Sequence, residues 1–312
     1  MEDWVVGIDL GATKIALGLV DPQNRVIAQR RAPTAPLEGP AAAVERIAQA
    51  VAALTQELPI GASLVGVGIC SPGPLDHRTG ALLDPPNLTG WVNVPLRQML
   101  ADRLGLPVTL EHDAKAAALG EYHFGAGRGQ SDMVYIVVGT GIGSALILDG
   151  RLHRGRHNAA GEVGHITIRA GGAPCSCGNT GCVESFAAGP AIARAYRRLL
   201  DARGAPDPAI TAADVVARAR QGDADALAVL ADAGEALGTA VATLAMILDV
   251  ELYVIGSSVA KAGDLLLAPA RAALIHHAHC SVAERVRIVR SELEDDGPIL
   301  GCAWLARQNG RI

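Results

Sequence analysis

Three sets of residues in this chain have types and spacing that could do chemistry. The first is His165 followed by Cys175, Cys177 and Cys182, the cysteines lying in Cys-Ser-Cys-Gly-Asn-Thr-Gly-Cys. One imidazole and three thiolates form the Cys3His donor set that suits tetrahedral zinc, and four protein ligands leave no open position for an activated water. The spacing therefore predicts a structural zinc site. The alternatives are three buried thiols beside an unrelated histidine, or a zinc hydrolase with an open coordination position. The second set is two small-residue turns, Gly11-Ala12-Thr13-Lys14 and Gly139-Thr140-Gly141-Ile142-Gly143. Backbone N–H groups in such turns can hold phosphate oxygens, because no large side chain keeps the phosphate away. One turn alone is equally an ordinary hairpin; two together could clamp a triphosphate. Asp9 precedes the first turn and could hold magnesium directly or through water, with the Thr13 hydroxyl and the Lys14 charge nearby.

The third set is polar. Asp113 ends the run Val-Thr-Leu-Glu-His-Asp, at a strand-to-helix junction where α/β proteins place active-site residues. A carboxylate there could accept a proton from an attacking hydroxyl, although periodicity alone reads it as a plain N-cap. Glu162 and Glu184 flank the Cys/His set and are either functional acids or solvated and supporting ones. Asn87, in Asp-Pro-Pro-Asn-Leu-Thr-Gly-Trp, is a rigid-loop amide that could contact a polyol or merely support a turn. The basic run Arg151, His153, Arg154, Arg156 and His157 reads as a solvated loop, with an anion site as the alternative.

The elements that must position these groups come twice. Val5–Asp9, Lys14–Val20 and a strand from Arg25 form an opening meander, followed by a helix 40–58, a strand 63–69, a helix 95–104, a strand 107–110 and an Ala-rich helix 114–124. After the linker Gly125–Gly129 a second apolar hairpin, 133–138 and 144–148, turns on the second small-residue loop. Helices at 190–200, 212–220, 223–248, from 265 and from 297, with strands 252–255 and 286–289, complete the chain. The repeated architecture predicts a duplicated α/β fold, two halves with a cleft between them. Neither a G-x-G-x-x-G before a helix nor a G-x-x-x-x-G-K-[ST] occurs, which argues against a dinucleotide fold and gives no sign of a P-loop.

Composition agrees. A length of 312 residues predicts about two domains. Half the residues are apolar, yet Phe, Trp and Tyr together number nine, so the core must be Ala, Val, Leu and Ile. The 36 glycines exceed the usual ~7% and are assigned to tight turns or to backbone approaching a ligand. With 27 basic and 32 acidic residues the net charge of −5 offers no field for nucleic acid or an anionic membrane. The most apolar stretch, 238–248, meets Asp249 and Glu251 too soon for a membrane span. No basic, then apolar, leader opens the sequence, so a cytoplasmic location is expected, where clustered cysteines point to metal rather than disulfides.

Taken together, DLGATK, the Pro72-Gly73-Pro74 loop, HDAKAAALGE, GTGIG, GEVGH and CSCGNTGCVE resemble the ROK family of sugar kinases and sugar-responsive repressors. The resemblance covers nearly the whole chain. It implies a two-lobed actin-like/hexokinase-like ATPase fold of duplicated ribonuclease-H-like domains with an inserted Cys3His zinc loop. A small lobe of residues 1–113 would have a C-terminal helix, about 298–312, packed back on it, and a large lobe of residues 114–297 would carry the zinc loop at 165–182. The activity implied is transfer of the γ-phosphate of ATP to the 6-hydroxyl of a hexose, with Mg2+ and structural Zn2+, and with Asp113 as general base. Helix 116–124 and the following Gly-Ala-Gly-Arg-Gly are similar to the glucose-phosphorylating members, which makes glucose the expected acceptor. By the same resemblance Asn87, His112, Asp113, Glu162, His165 and Glu184 contact sugar. Asp9, Gly11, Ala12, Thr13, Lys14, Gly139, Thr140, Gly141, Gly143, Gly256 and Ser257 surround the nucleotide, and His165, Cys175, Cys177 and Cys182 hold zinc. A homodimer or higher homo-oligomer is implied as well. Two positions depart from the family: His112-Asp113-Ala114-Lys115 replaces Asn-Asp-Ala-Asn, and Gly256-Ser257-Ser258 replaces a glycine-rich adenosine-side turn. A kinase for N-acetylglucosamine or N-acetylmannosamine and a non-catalytic sugar-sensing repressor are the alternatives. With few aromatics, only Trp91, four residues after Asn87, could stack on a sugar.

Overall fold

The computed structural model describes residues 3–308, and its contacts divide the chain into two compact units. One holds the chain up to Arg128, Gly155–Asn158 and everything from Leu293; the other holds Gly129–Arg154 and Ala159–Glu292. The last residues of the helix expected over 298–312 lie outside the described residues.

The first unit opens with β1 (Asp3–Leu10), β2 (Lys14–Val20) and β3 (Val26–Pro33), then α1 (Pro40–Thr55) and β4 (Ser63–Ser71). A hairpin of β5 (Leu75–Asp76) and β6 (Ala81–Leu82) leads to α2 (Leu96–Leu104), β7 (Val108–His112) and α3 (Asp113–Phe124). The second unit contains β8 (Met133–Val138), β9 (Ile142–Leu148), β10 (Arg151–His153), α4 (Glu184–Ala187), α5 (Gly189–Ala202), α6 (Ala212–Arg220) and α7 (Ala224–Leu248). It continues through β11 (Leu252–Gly256), α8 (Asp264–His277), α9 (Cys280–Ala283) and β12 (Arg287–Arg290). The last helix, α10 (Gly297–Arg307), belongs to the first unit.

Each unit is built on a five-stranded mixed sheet, and the two sheets repeat one topology. The orders are β3-β2-β1-β4-β7 and β10-β9-β8-β11-β12. In both, three strands run antiparallel as a meander and the remaining two join in parallel. The small-residue turns occupy equivalent places, between β1 and β2 and between β8 and β9. Strands of two or three residues, β5, β6 and β10, carry no readable periodicity and were not legible from sequence.

Strand alternation explains the layers. Trp4, Val6, Ile8 and Leu10 of β1 face a core shared with α1 and α2, including Ile47, Val51 and Leu100. The opposite face, at Val5, meets Ile299, Leu300 and Ala303 of α10. Here the glycines have a use that sequence did not assign. A Cβ on Gly7 would stand 2.0 Å from the Ile299 carbonyl oxygen, and one on Gly68 of β4 would stand 1.9 Å from that of Cys302. These are neither turns nor ligand contacts: they let a helix backbone lie directly on the sheet.

α3 packs along α10, Gly301 approaching the Ala116 carbonyl in the same way. For this reason the division falls after Arg128 and not after residue 113, and α3 belongs to the first unit. Trp91 is fully buried in the first core and its indole Nε1 donates to the Pro36 carbonyl at 3.0 Å, so it is structural and unavailable for stacking on a sugar.

α7 corrects the membrane argument from sequence. At 25 residues it is long and apolar enough to cross a membrane by length and composition. Its apolarity is accounted for by packing, since Leu230, Leu237 and Val241 are buried in the second core and α7 lies along α8.

Candidate active site and metal centre

In the first unit the parallel strands β1, β4 and β7 end in register, Asp9 beside Cys70 and Ser71 beside His112. This carboxyl edge presents the polar groups. The turn after Asp9 is closed by Gly11 N–H donating to the Lys14 carbonyl (2.9 Å). Buried Thr34 at the end of β3 fastens it: its hydroxyl donates to the Gly11 carbonyl (2.7 Å) and its N–H to that of Thr13 (3.0 Å). Thr13 and Lys14 are exposed, and Gly11 and Ala12 half-buried. The Asp9 carboxyl is pushed up to about 6, first by burial and then by the charge of Asp113; the Cys70 thiol, 3.6 Å from its Oδ1, and Lys14 pull it back.

Asp113 is the first residue of α3, with His112 in the N-cap position, so it is not the plain N-cap that periodicity favours. Its Oδ1 accepts the N–H of Ala114 (2.6 Å), and 43% of the side chain is exposed, enough for a substrate hydroxyl to reach it. His112 Nδ1 lies 3.0 Å from Asp113 Oδ1, too poorly aligned for a hydrogen bond. The His112 ring occupies the space a Cβ on Gly73 would take, at 2.8 Å, which ties the Pro-Gly-Pro loop to the end of β7. Lys115, which closes the same departure from the family pattern as His112, is buried. Its Nζ donates to Asn158 O (2.6 Å) and Oδ1 (2.5 Å), holding the Gly155–Asn158 segment to the first unit. Asn87 is exposed on the loop between β6 and α2, anchored by buried Pro85 and Leu88.

In the second unit the turn between β8 and β9 is fastened differently. Gly139 N–H donates to the Gly141 carbonyl (3.0 Å), and Gly189 N–H, opening α5, donates to that of Gly139 (2.8 Å). Glu184 Oε2 accepts the N–H of Ile142 (2.9 Å), while its Oε1 accepts the Ser176 hydroxyl (3.1 Å). One carboxylate thereby joins the turn to the cysteine loop. A Cβ on Gly141 would stand 2.8 Å from that carboxylate, and one on Gly139 would stand 2.9 Å from Ser257 Oγ, so a side chain at either position would displace its neighbour. Glu162 is exposed at the head of a single 3-10 turn, Val163–His165, that carries His165.

His165, Cys175, Cys177 and Cys182 place one ligand atom each within 4.8 Å of one another. A zinc tetrahedron with sulfur at ~2.3 Å and nitrogen at ~2.0 Å has edges of ~3.5–3.8 Å. Cys177 Sγ to Cys182 Sγ is 3.8 Å and Cys175 Sγ to His165 Nδ1 is 3.6 Å, so the donor set fits. Burial resists ionisation of Cys175, but the Cys177 N–H, the His165 ring and the two other thiols draw it down to about 6. Cys182 is pushed up to about 12 by burial and by the same thiols. His165 turns Nδ1 to the thiols, which leaves Nε2 for another partner.

Ser257 stands at φ 76°, the left-handed region that favours glycine, which is what the family's glycine-rich turn would supply. Beside it and Gly139 lies a cavity of about 590 Å3, walled by Ala193, Ile210, Val216 and Val259 with Arg197 and Arg220 at its edge. Sequence reasoning missed these residues: they come from α5, α6 and the turn after β11, and no motif spans them.

The chain belongs to the ROK family, whose sequence pattern matches residues 5–309. A glucokinase of Halalkalibacterium halodurans is 36% identical over 98% of this chain and 96% of its own. The crystal structure of a ROK family glucokinase from Streptomyces griseus, in complex with glucose and AMPPNP, superposes with a TM-score of 0.84 at 32% identity, covering 98% of this chain and 99% of the other. That of a ROK hexokinase from Thermus thermophilus superposes with a TM-score of 0.82 at 33% identity, covering 99% of each.

Proposed function

We propose that this protein is an ATP-dependent hexose kinase that phosphorylates the 6-hydroxyl of glucose. Within the structure, the observation that carries the reading is the edge of the first sheet, where a solvent-reachable carboxylate, Asp113, stands on the same edge as Asp9 and the first small-residue turn. Full-length similarity to the glucokinase of Halalkalibacterium halodurans and to the glucose complex from Streptomyces griseus supports glucose as the acceptor.

In this reading Asp113 accepts the 6-hydroxyl proton as that oxygen attacks the γ-phosphorus. Lys14 and the backbone N–H groups of Gly11–Thr13 and Gly139–Gly143 balance charge on the transferred phosphoryl, the dominant contribution in phosphoryl transfer. Asn87, His112, Glu162, His165 Nε2 and Glu184 orient the sugar. Gly256, Ser257 and the cavity beside α5 receive the nucleoside. Magnesium bound with the nucleotide neutralises phosphate charge, and Asp9 would hold it directly or through water. Zinc held by His165, Cys175, Cys177 and Cys182 fixes the loop that carries Ser176 and Glu184. Six free cysteines suit the reducing cytoplasm. Exposed Met246, Ile247 and Ile275 on α7 and α8 support a homo-oligomer, dimer or higher.

The test is kcat/KM with ATP across glucose, mannose, N-acetylglucosamine and N-acetylmannosamine. Glucose should lead. A preference for either N-acetylated sugar would move the protein to the hexosamine kinases, and sugar binding without turnover on any of them would make it a sensor.

A further inference from the structure

A second cavity of the second unit lies against a different face of α5 from the nucleoside cavity. It encloses about 460 Å3 and reaches Thr140 of the second turn. Arg194 and Arg198 line it, one helical turn apart and therefore on one face of α5. Ser176, Ser185 and Thr140 add hydroxyls.

The charges in this cavity do not cancel. Asp232 is taken by Arg169, at 2.7 Å, whose guanidinium also lies over the Phe186 ring that walls the cavity. Glu184 keeps its charge, its oxygens accepting the Ile142 N–H and the Ser176 hydroxyl. Arg194 and Arg198 have no acidic partner among the described residues, and both are exposed. Asp232 is thus neutralised by Arg169, and the two remaining guanidinium groups face one carboxylate, Glu184, so the balance of carboxylates and guanidinium groups in the cavity is positive. Two guanidinium groups one helical turn apart can both donate to one tetrahedral oxyanion, and guanidinium is the side chain suited to that geometry. The enclosed volume falls within the ~300–1,000 Å3 of small-molecule sites.

We propose that this cavity is a phosphoanion site, separate from the nucleoside cavity, in which Arg194 and Arg198 hold a phosphate group and Thr140 brings the bound anion to the flank of the second turn. Two sources supply that chemistry: a condensed inorganic phosphate and a hexose phosphate.

Titration calorimetry of the intact protein with tripolyphosphate, glucose 6-phosphate and orthophosphate, each with the nucleotide site filled by a non-hydrolysable ATP analogue, tests the site and tells the sources apart. At least one should bind saturably in the millimolar range or tighter. Arg194→Ala plus Arg198→Ala should weaken it by about tenfold or more, while the double lysine variant, which keeps charge but loses the forks, should retain intermediate affinity. The single alanine variants and melting curves separate loss of binding from loss of fold. No saturable binding of any of the three, binding displaced completely by the ATP analogue, or affinity unchanged in the double alanine variant would each overturn the proposal. These readouts do not depend on which sugar, if any, the protein phosphorylates.

Discussion

The two units share a strand order and a small-residue turn in the same place, but they fasten that turn by opposite means. In the first unit a hydroxyl, Thr34, and ordinary turn hydrogen bonds close it. The groups with reactive charge, Asp9 and Asp113, stand beside it, close enough that the charge of Asp113 raises Asp9. In the second unit a carboxylate, Glu184, holds the turn, and Ser176 and Cys175 connect that carboxylate to the Cys/His cluster. Duplication of a fold thus preserved topology while dividing labour. One half concentrates charge that can move a proton, and the other ties its small-residue turn to a Cys/His donor set that fits a metal.

The contrast can be broken most forcefully by removing the metal. Chelation, or Cys177→Ser, should destabilise the second unit by on the order of 5 kcal/mol and lower the melting midpoint by about 10 °C or more, because the donor set is then four uncompensated groups on a short loop. A melting curve that does not move after verified metal removal would show that the cysteine loop stands on its own. The counterpart in the first unit is Asp113→Asn, which should cut kcat by about 10^3-fold, roughly 4 kcal/mol, while hexose binding stays within about threefold. Near-normal turnover would remove Asp113 from the role of base.

A pH series sharpens the difference further. Asp9 titrates at about 6 in the fold, above its ordinary value of 3.8. A raised carboxyl leaves stability intact below about pH 4 and lowers it as pH climbs through about 6, by up to about 3 kcal/mol once ionised. Asp9→Asn should therefore raise the melting midpoint near pH 7.5 in magnesium-free buffer and do little near pH 4; an equal shift at both would contradict the buried charge. Glu184→Gln, keeping size but losing charge, should weaken the grip on the Ile142 N–H by about 1–2 kcal/mol and appear as a rise of about fivefold or more in KM for ATP. The smallest effect is expected at Ser257→Gly, where relief of left-handed strain should stabilise the second unit by up to about 1 kcal/mol. A destabilised variant would mean that the Ser257 side chain contributes more than its backbone costs.

Much of this was legible in the sequence where chemistry is local. The two turns, the Cys/His spacing and most helix limits follow from residues close together in the chain, and β2 and α6 fall on the expected residues. What was not legible depends on contacts between distant segments. Gly7 and Gly68 read as ligand or turn glycines until α10 is laid against them. Trp91 reads as a sugar platform until Pro36 takes its indole N–H. Lys115 looks like a change in the active site until Asn158, 43 positions on, accepts its ammonium group. The cavity beside Gly139 is spread over α5, α6 and the turn after β11, with no shared motif to announce it.

The central claim is that the charged edge of the first unit transfers phosphate from ATP to a sugar hydroxyl. Phosphorus NMR and mass spectrometry of a reaction containing wild-type protein, ATP, magnesium and glucose test it most directly. The prediction is one hexose 6-phosphate formed for each ADP, and none from 6-deoxyglucose. ATP consumed without a phosphosugar, or phosphate found on any other hydroxyl, would contradict it.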